Sequence, residues 1–177
     1  MKEEYKKIIS GYVEAKDENK PHLMEYVFAK SATLKIKSKA ANISFPSKVA
    51  GLVGITEVLV NHFNDTYEDV TTICLSDTVD EKNNQLSCRW LVGMTERLSG
   101  SSRVGCGEYL WRFEGNELLR ADHLTIVIDH MAILSGGNQT DVMHWLKNLP
   151  YPWAFTNDVL STMPDLPLLS EIRSNIA

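Results

Sequence analysis

Two adjacent residues, Asp122 and His123, are the side chains of this chain best suited to moving a proton. An imidazole is a general base near neutral pH without assistance. A carboxyl group does the same work only when a partner or burial raises its pKa. Both lie in Arg120-Ala121-Asp122-His123, inside a strand-like run, and successive residues of a strand face opposite sides. A four-residue loop over 114–117 places Asp122 across from Tyr109 and aims it inward. A bulge at Gly115 reverses the parity and aims His123 inward instead. The alternative for either residue is an outer face or a pocket rim. His62, beside Leu59 and Phe63 on a helical stripe, reads as a rim or core histidine before it reads as a catalyst.

Other chemistries find less support. His123 and His130 cannot share a metal, because seven strand residues separate them by about 23 Å and reverse the face. No other spacing has the pattern of a metal site. No glycine run suits a phosphate, and Ser, His and Asp are too plentiful to define a triad without geometry. We therefore expect no metal and no cofactor.

The elements that must position these residues follow from periodicity. Tyr5, Ile8, Ile9, Tyr12 and Val13 mark a helix over Lys2–Asp17. Pro21 opens a short helix over His22–Phe28. Ser31–Lys37 alternates as a strand, Ile43–Val49 reads as an edge strand broken by Pro46, and Gly54–Phe63 is a third helix. After a strand over Val70–Thr78, three long antiparallel strands follow at Leu86–Leu98, Arg103–Phe113 and Leu118–His130. A turn at Ser99-Gly100-Ser101-Ser102 sets Trp90 opposite Trp111, Val92 opposite Tyr109, Cys88 opposite Phe113 and Cys106 opposite Thr95. One face then carries Trp90, Val92, Met94, Tyr109, Trp111 and Phe113. The other carries Arg89, Arg97, Glu108 and Arg112, a surface suited to solvent or to a second copy in a homodimer. A segment rich in Trp145, Leu146, Leu149, Tyr151, Trp153 and Phe155 ends the chain and is too apolar to float free.

The chain has 177 residues, 44% hydrophobic and 23% charged, with a net charge of −5. That is enough for one sizeable core. The acidic balance argues against nucleic acid as a partner. No apolar run has the length of a membrane span or a signal peptide, and three widely spaced cysteines fit free thiols, so a cytoplasmic protein is expected.

The order of elements, and particular residues within them, resembles the nuclear-transport-factor-2-like superfamily. This is the cone-shaped fold of ketosteroid isomerases, scytalone dehydratase and SnoaL-like cyclases. The resemblance rests on Tyr12-Val13-Glu14-Ala15 through Leu23, Phe28-Ala29 and Ala32-Thr33-Leu34. It continues in Gly54-Ile55, in Cys88-Arg89-Trp90 and in Trp111-Arg112-Phe113-Glu114-Gly115-Asn116-Glu117-Leu118. It spans about residues 5–130. It implies an α+β fold, a curved sheet of mixed and antiparallel strands wrapped by three N-terminal helices. Residues 1–134 would form the ligand-binding cone, and 135–177 a helical appendix docked on the same domain or on a second subunit.

The resemblance also implies roles. Tyr12 falls where the isomerases place an oxyanion-stabilising tyrosine, and Tyr109 where they place a protonated acid donating to the same oxygen. The general-base carboxylate of those enzymes aligns with Ile36, which cannot accept a proton. Another base, Asp122 or His123, would have to serve. A small apolar, cyclic or aromatic ligand is expected in the cone, against Tyr26, His62, Phe63, Trp90, Trp111 and Phe113, with Trp153 as part of a lid. The reaction would be an isomerisation, dehydration or cyclisation. A non-catalytic carrier or dimerisation module is the alternative.

Overall fold

Alternating burial builds the sheet. Along Gln85–Glu96 (β5), Ser102–Glu114 (β6) and Arg120–Ile133 (β7), the buried residues of one side are Cys88, Trp90, Val92, Tyr109, Trp111, Phe113, Leu124, Ile126 and Ile128. The computed structural model describes residues 1–115, 117–134 and 136–177. Its N-terminal half runs through α1 (Glu3–Asp17), a 3-10 turn at Pro21–Leu23, α2 (Met24–Val27), β1 (Phe28–Ser38) and β2 (Lys48–Ala50). Then come α3 (Leu52–Thr56), a π-helical turn (Glu57–Asn61), α4 (His62–Thr66), β3 (Tyr67–Leu75) and β4 (Asp80–Lys82). After β7 follow α5 (Asn138–Lys147), β8 (Trp153–Ala154), α6 (Thr156–Thr162) and α7 (Ser170–Ile176).

The strands form one sheet in the order β2-β1-β7-β6-β5-β3-β8, with β4 beside β5. β1 runs parallel to β7 and β8 parallel to β3; the other pairs are antiparallel. This is the expected α+β cone, with a mixed and curved sheet. Register shifts interrupt β6/β7 twice and β3/β5 and β1/β7 once each. Each such bulge adds local bend and twist. Gly107 serves the same end. A Cβ built there would stand 1.9 Å from the Val127 carbonyl oxygen and 2.7 Å from the Trp90 ring, so only glycine lets the indole lie on the strand.

Two cores lie on opposite sides of the sheet. The concave side packs α1 and the α3–α4 rod over β5, β6 and β7. Its narrow end is filled by rings: Tyr5 stacks on Phe113 at 4.1 Å, and Phe28 on Trp111 at 5.7 Å. On the convex side, Ile73, Leu75, Leu91, Val104 and Cys106 are covered by Trp145 and Leu146 of α5, Val159 of α6, and Ile172 and Ile176 of α7. The C-terminal segment thus packs against its own sheet. Among the described residues no helix is long and apolar enough to cross a membrane.

The structure corrects several sequence expectations. β5 and β6 pair Leu86 with Trp111, Cys88 with Tyr109 and Trp90 with Gly107. The turn begins earlier than expected, at Arg97, and the register slides by an even number of residues, so every side chain keeps its face. Arg97 is therefore a turn residue bonded to the Asn64 carbonyl and Glu68, not part of an outer charged face. Ile43–Phe45 is loop, and only Lys48–Ala50 pairs with β1. The expected loop over 114–117 includes Asn116, which lies outside the described residues.

The C-terminal segment packs tightly on the sheet at Gly93, where an added Cβ would stand 2.2 Å from Leu146 Cδ1 and 3.3 Å from the Met143 sulfur. Gly93→Ala is expected to destabilise the fold by about 1–3 kcal/mol through overpacking. In a Leu146→Ala background the same change should cost well under half as much, because the clashing methyl is gone. Urea unfolding of the four proteins checks the coupling.

Candidate functional site

Above the ring-filled narrow end, the concave side keeps a hollow of about 50 Å³ under α1. Its wall is apolar in the main: Ile36, Ile43, Phe45, Leu59, Phe63, Trp90, Val92, Met94, Ile126, Ile128 and Met131. Three titratable residues interrupt it, Tyr12, Lys16 and Tyr109. α1 supplies two of them from one stripe, since residues four apart on a helix share a face.

Tyr12 and Tyr109 meet edge to face with ring centroids 5.7 Å apart, and Tyr12 also stands edge-on to Trp111 at 5.4 Å. Trp90 stacks on Tyr109 from the other side at 5.5 Å. Burial pushes the Tyr12 phenol above its usual range, and hydrogen bonding with the Tyr109 phenol partly opposes the rise. Burial raises Tyr109 further, helped by the neighbouring Tyr12 and Cys74. Both phenols are therefore protonated donors across the physiological range.

Lys16 is 5% exposed. Its Nζ donates to Asp17 Oδ1 at 2.7 Å and to Thr72 Oγ1 at 2.6 Å, and it lies 4.9 Å from the centroid of the Phe63 ring. Asp17 in turn accepts from the Thr72 backbone N–H at 2.7 Å, the Thr72 hydroxyl at 2.8 Å and the Tyr151 hydroxyl at 3.3 Å. The carboxylate is thus satisfied from β3 and from the segment before β8, and does not depend on Lys16 alone. An ion pair this buried is expensive in desolvation and is held by such accessory bonds.

The structure brings some sequence-derived candidates together and scatters others. Tyr12, Tyr109, Phe63 and Trp90 share the hollow. Trp111 and Phe113 are buried but spent in the stacked narrow end. Trp153 is no lid; its indole N–H donates to Ser10 Oγ at 2.9 Å, on the flank of α1. Tyr26 is 59% exposed under the Arg120 guanidinium, and the His62 side chain points to Glu57 in solvent.

Neither alternative for the base survives. β6 pairs Arg112 with His123 but Phe113 with Ala121, so Asp122 is the extra residue of a bulge in β7. Both side chains consequently turn to the convex face. Asp122 pairs with Arg112 at 2.7 Å, and His123 bonds Thr33 Oγ1 at 2.6 Å through Nδ1 and Thr125 Oγ1 at 2.9 Å through Nε2. Burial lowers the His123 pKa below its usual value, with Arg112 adding to the effect. Ile36, at the position the resemblance gives to a base, lines the hollow as a hydrocarbon.

Lys16, Asp17 and Thr72 were not among the sequence candidates. A signal for Lys16 was present, because it continues the buried series Tyr5, Ile9, Tyr12 by one more turn. Nothing local marks Thr72. Among the described residues no group of three or more His, Cys, Asp or Glu side chains is placed to hold a metal.

No family model and no curated protein matches the sequence. Solved structures do. A hexachlorocyclohexane dehydrochlorinase (LinA) of type 2 is 12% identical, with a TM-score of 0.61 over 74% of this chain and 86% of that one. A nuclear-transport-factor-2-like superfamily protein from Salmonella enterica is 15% identical, with a TM-score of 0.54 over 75% and 92%. A scytalone-dehydratase-like protein from Novosphingobium aromaticivorans is 10% identical, with a TM-score of 0.54 over 74% and 85%. At these identities the likeness is one of fold.

The buried phenols make alkaline stability a test of this geometry. Below about pH 10 the phenols are protonated in both native and unfolded chains. Above it the unfolded phenols ionise while the raised native ones hold their protons, so stability falls as pH rises. Each phenol contributes a slope of about 1.4 kcal/mol per pH unit there. Tyr12→Phe and Tyr109→Phe should each flatten the decline between about pH 10 and 12, measured by urea unfolding.

Proposed function

We propose, on the premise that this chain has the nuclear-transport-factor-2-like fold, that it binds a small, largely apolar cyclic or aromatic molecule in the hollow beneath α1. The reading includes turnover of that molecule by cofactor-independent acid–base chemistry of the isomerase, dehydratase or cyclase kind. One observation carries it: two buried, protonated phenols meet at the wall of an otherwise apolar hollow. Donors fixed in a dry site stabilise negative charge developing on a ligand oxygen far better than water does. The names of the structural neighbours, which include a dehydrochlorinase and scytalone-dehydratase-like and isomerase-like proteins, favour eliminations and isomerisations. The hollow is a third of the roughly 150 Å³ that accepts benzene in an engineered apolar cavity. Entry of a ring therefore requires the wall to yield, and Met94 and Met131 are side chains that repack readily.

A second reading, a non-catalytic carrier, has its own support. The wall offers phenols and an ammonium but neither imidazole nor carboxylate, so a proton abstracted from a ligand has no ordinary acceptor there. A homodimer belongs to this reading. The convex surface beyond the C-terminal segment carries Glu108, Leu110, Arg112 and Asp122, a mixed patch that a second copy could cover. The free, buried thiols of Cys74, Cys88 and Cys106 accord with the reducing cytoplasm in which we place the protein.

Titration of small aromatic ketones against the intrinsic fluorescence of Trp90 tests the binding. Saturable quenching is expected. Tyr12→Phe and Tyr109→Phe should each weaken binding by about 1–2 kcal/mol, while His123→Ala should leave it unchanged. The reading fails if the wild-type protein shows no saturable response to any single-ring compound at millimolar concentration. Turnover in the same mixtures, followed by proton exchange into the ligand, separates enzyme from carrier. Light scattering at micromolar concentration decides the dimer, and a monomer removes it.

A further inference from the structure

The polar groups around the hollow are rich in donors, although the two phenols also bond to each other and each phenol oxygen can accept. Tyr12 and Tyr109 present phenolic O–H groups held protonated by burial. Lys16 gives two of its three N–H bonds to Asp17 and Thr72, which leaves one. Trp90 is 4% exposed, its ring lines the hollow, and its buried indole N–H has no acceptor among the described residues. An orphaned buried donor is uncommon in a folded protein and calls for an explanation. Trp111 has the same deficit, but its ring is enclosed in the narrow end between Phe28, Tyr12 and Phe113. Trp90 alone of the two borders space that a ligand can enter.

The arrangement is also polarised. Lys16 forms part of the wall, whereas Asp17 is engaged on the far side by Thr72 and Tyr151 and is not part of it. Of the ion pair, the lysine is thus the member that borders the hollow, with its ammonium over the Phe63 ring of the same wall. A neutral carbonyl would be served by the phenols. An ammonium beside them fits an oxygen with a full negative charge, which makes stronger hydrogen bonds to charged and phenolic donors than a neutral acceptor does.

Resting on the binding reading above, we propose that the ligand of this hollow is a single-ring monoanion, its charged oxygen received by Lys16, Tyr12, Tyr109 and the Trp90 indole N–H, with Lys16 setting the preference for the anion. A ring carboxylate and a ring phenolate both satisfy this chemistry. Lys16 is thereby a specificity residue that touches the ligand, and Asp17 and Thr72 are positioning residues that hold its ammonium in place.

The test compares anions with neutral counterparts of similar shape on the wild-type protein. Benzoate is set against benzamide, and para-nitrophenolate against nitrobenzene, by calorimetry and by quenching of tryptophan fluorescence. Each anion is expected to bind about tenfold or more tightly than its neutral counterpart, a difference of about 1.4 kcal/mol. Which of the two anions binds better identifies carboxylate or phenolate as the source. At a pH where free para-nitrophenol is half ionised, the bound ligand should show the phenolate absorption band alone. Lys16→Met should abolish the preference while nitrobenzene binding persists. The spectral readout on wild-type protein keeps the inference testable should that variant fail to fold. Equal or tighter binding of the neutral compounds overturns the inference and leaves the small-molecule reading standing. A preference that survives in folded Lys16→Met overturns the role of Lys16. If none of the four compounds binds, the binding reading itself falls and takes this one with it.

Discussion

The contact on which the rest depends is the seating of Tyr12 against the sheet. Its ring stands edge-on to Tyr109, Trp111 and Phe28, which belong to β6 and β1, so one side chain fixes α1 over the concave face. Aromatic pairs of this geometry contribute about 0.5–1.5 kcal/mol each beyond the area they bury. They also fix rotation. A turn of α1 by one residue swings its face by 100°, which would carry Lys16 off the hollow and break its bond to Thr72. The roof of the hollow, its ammonium and the anchor of Asp17 on β3 thus follow from where this one phenol sits.

The second determinant is the set of bulges. Without the extra residue at Asp122, β7 would keep strict alternation from Ala121 onward, and one of Asp122 and His123 would face the concave side. The bulge sends both outward and returns Leu124, Ile126 and Ile128 to the interior. The concave wall from β7 is therefore hydrocarbon. The convex side has its own division. β3, β5 and part of β6 are covered by α5, α6 and α7, while the end of the sheet carrying Arg112, Asp122 and His123 faces solvent.

Much of this was legible in the sequence, and what was not has a physical reason. Binary patterning gave the strands and the inward aromatic face, because burial at period two is a property of the residues themselves. The β5–β6 register was misread by an even number, and the facing survived because the side-chain period is two. The bulge at Asp122 is neither of the alternatives the sequence offered, a regular loop over 114–117 or a bulge at Gly115, since Asp122 carries no local signature of irregularity; it is a polar residue in a strand like its neighbours. The division of the aromatic face into a solid narrow end and a hollow was beyond reach. It depends on which ring of α1 meets which ring of the sheet, Tyr5 with Phe113 and Tyr12 with Tyr109, and on how closely α1 approaches. Lys16 was within reach as a lysine on an apolar stripe, whereas its partner Thr72 comes from 56 residues away.

The polar groups of the hollow are hard to justify as contributions to stability. A buried ion pair can often be replaced by well-packed apolar residues at no loss, and an unbonded indole N–H costs free energy to bury. A concave core built only to hold helix on sheet would carry another leucine at position 16 and a phenylalanine in place of Trp90. The narrow end, with Tyr5, Phe28, Trp111 and Phe113 stacked ring on ring, shares the unbonded indole N–H, at Trp111, but has no buried ion pair among its rings. The contrast lies within one face of one sheet, where composition, solvent and folding constraints are shared. Local rules of packing tend to be broken at functional sites, which is the reason for proposing the ligand at the wall formed by Tyr12, Lys16, Trp90 and Tyr109.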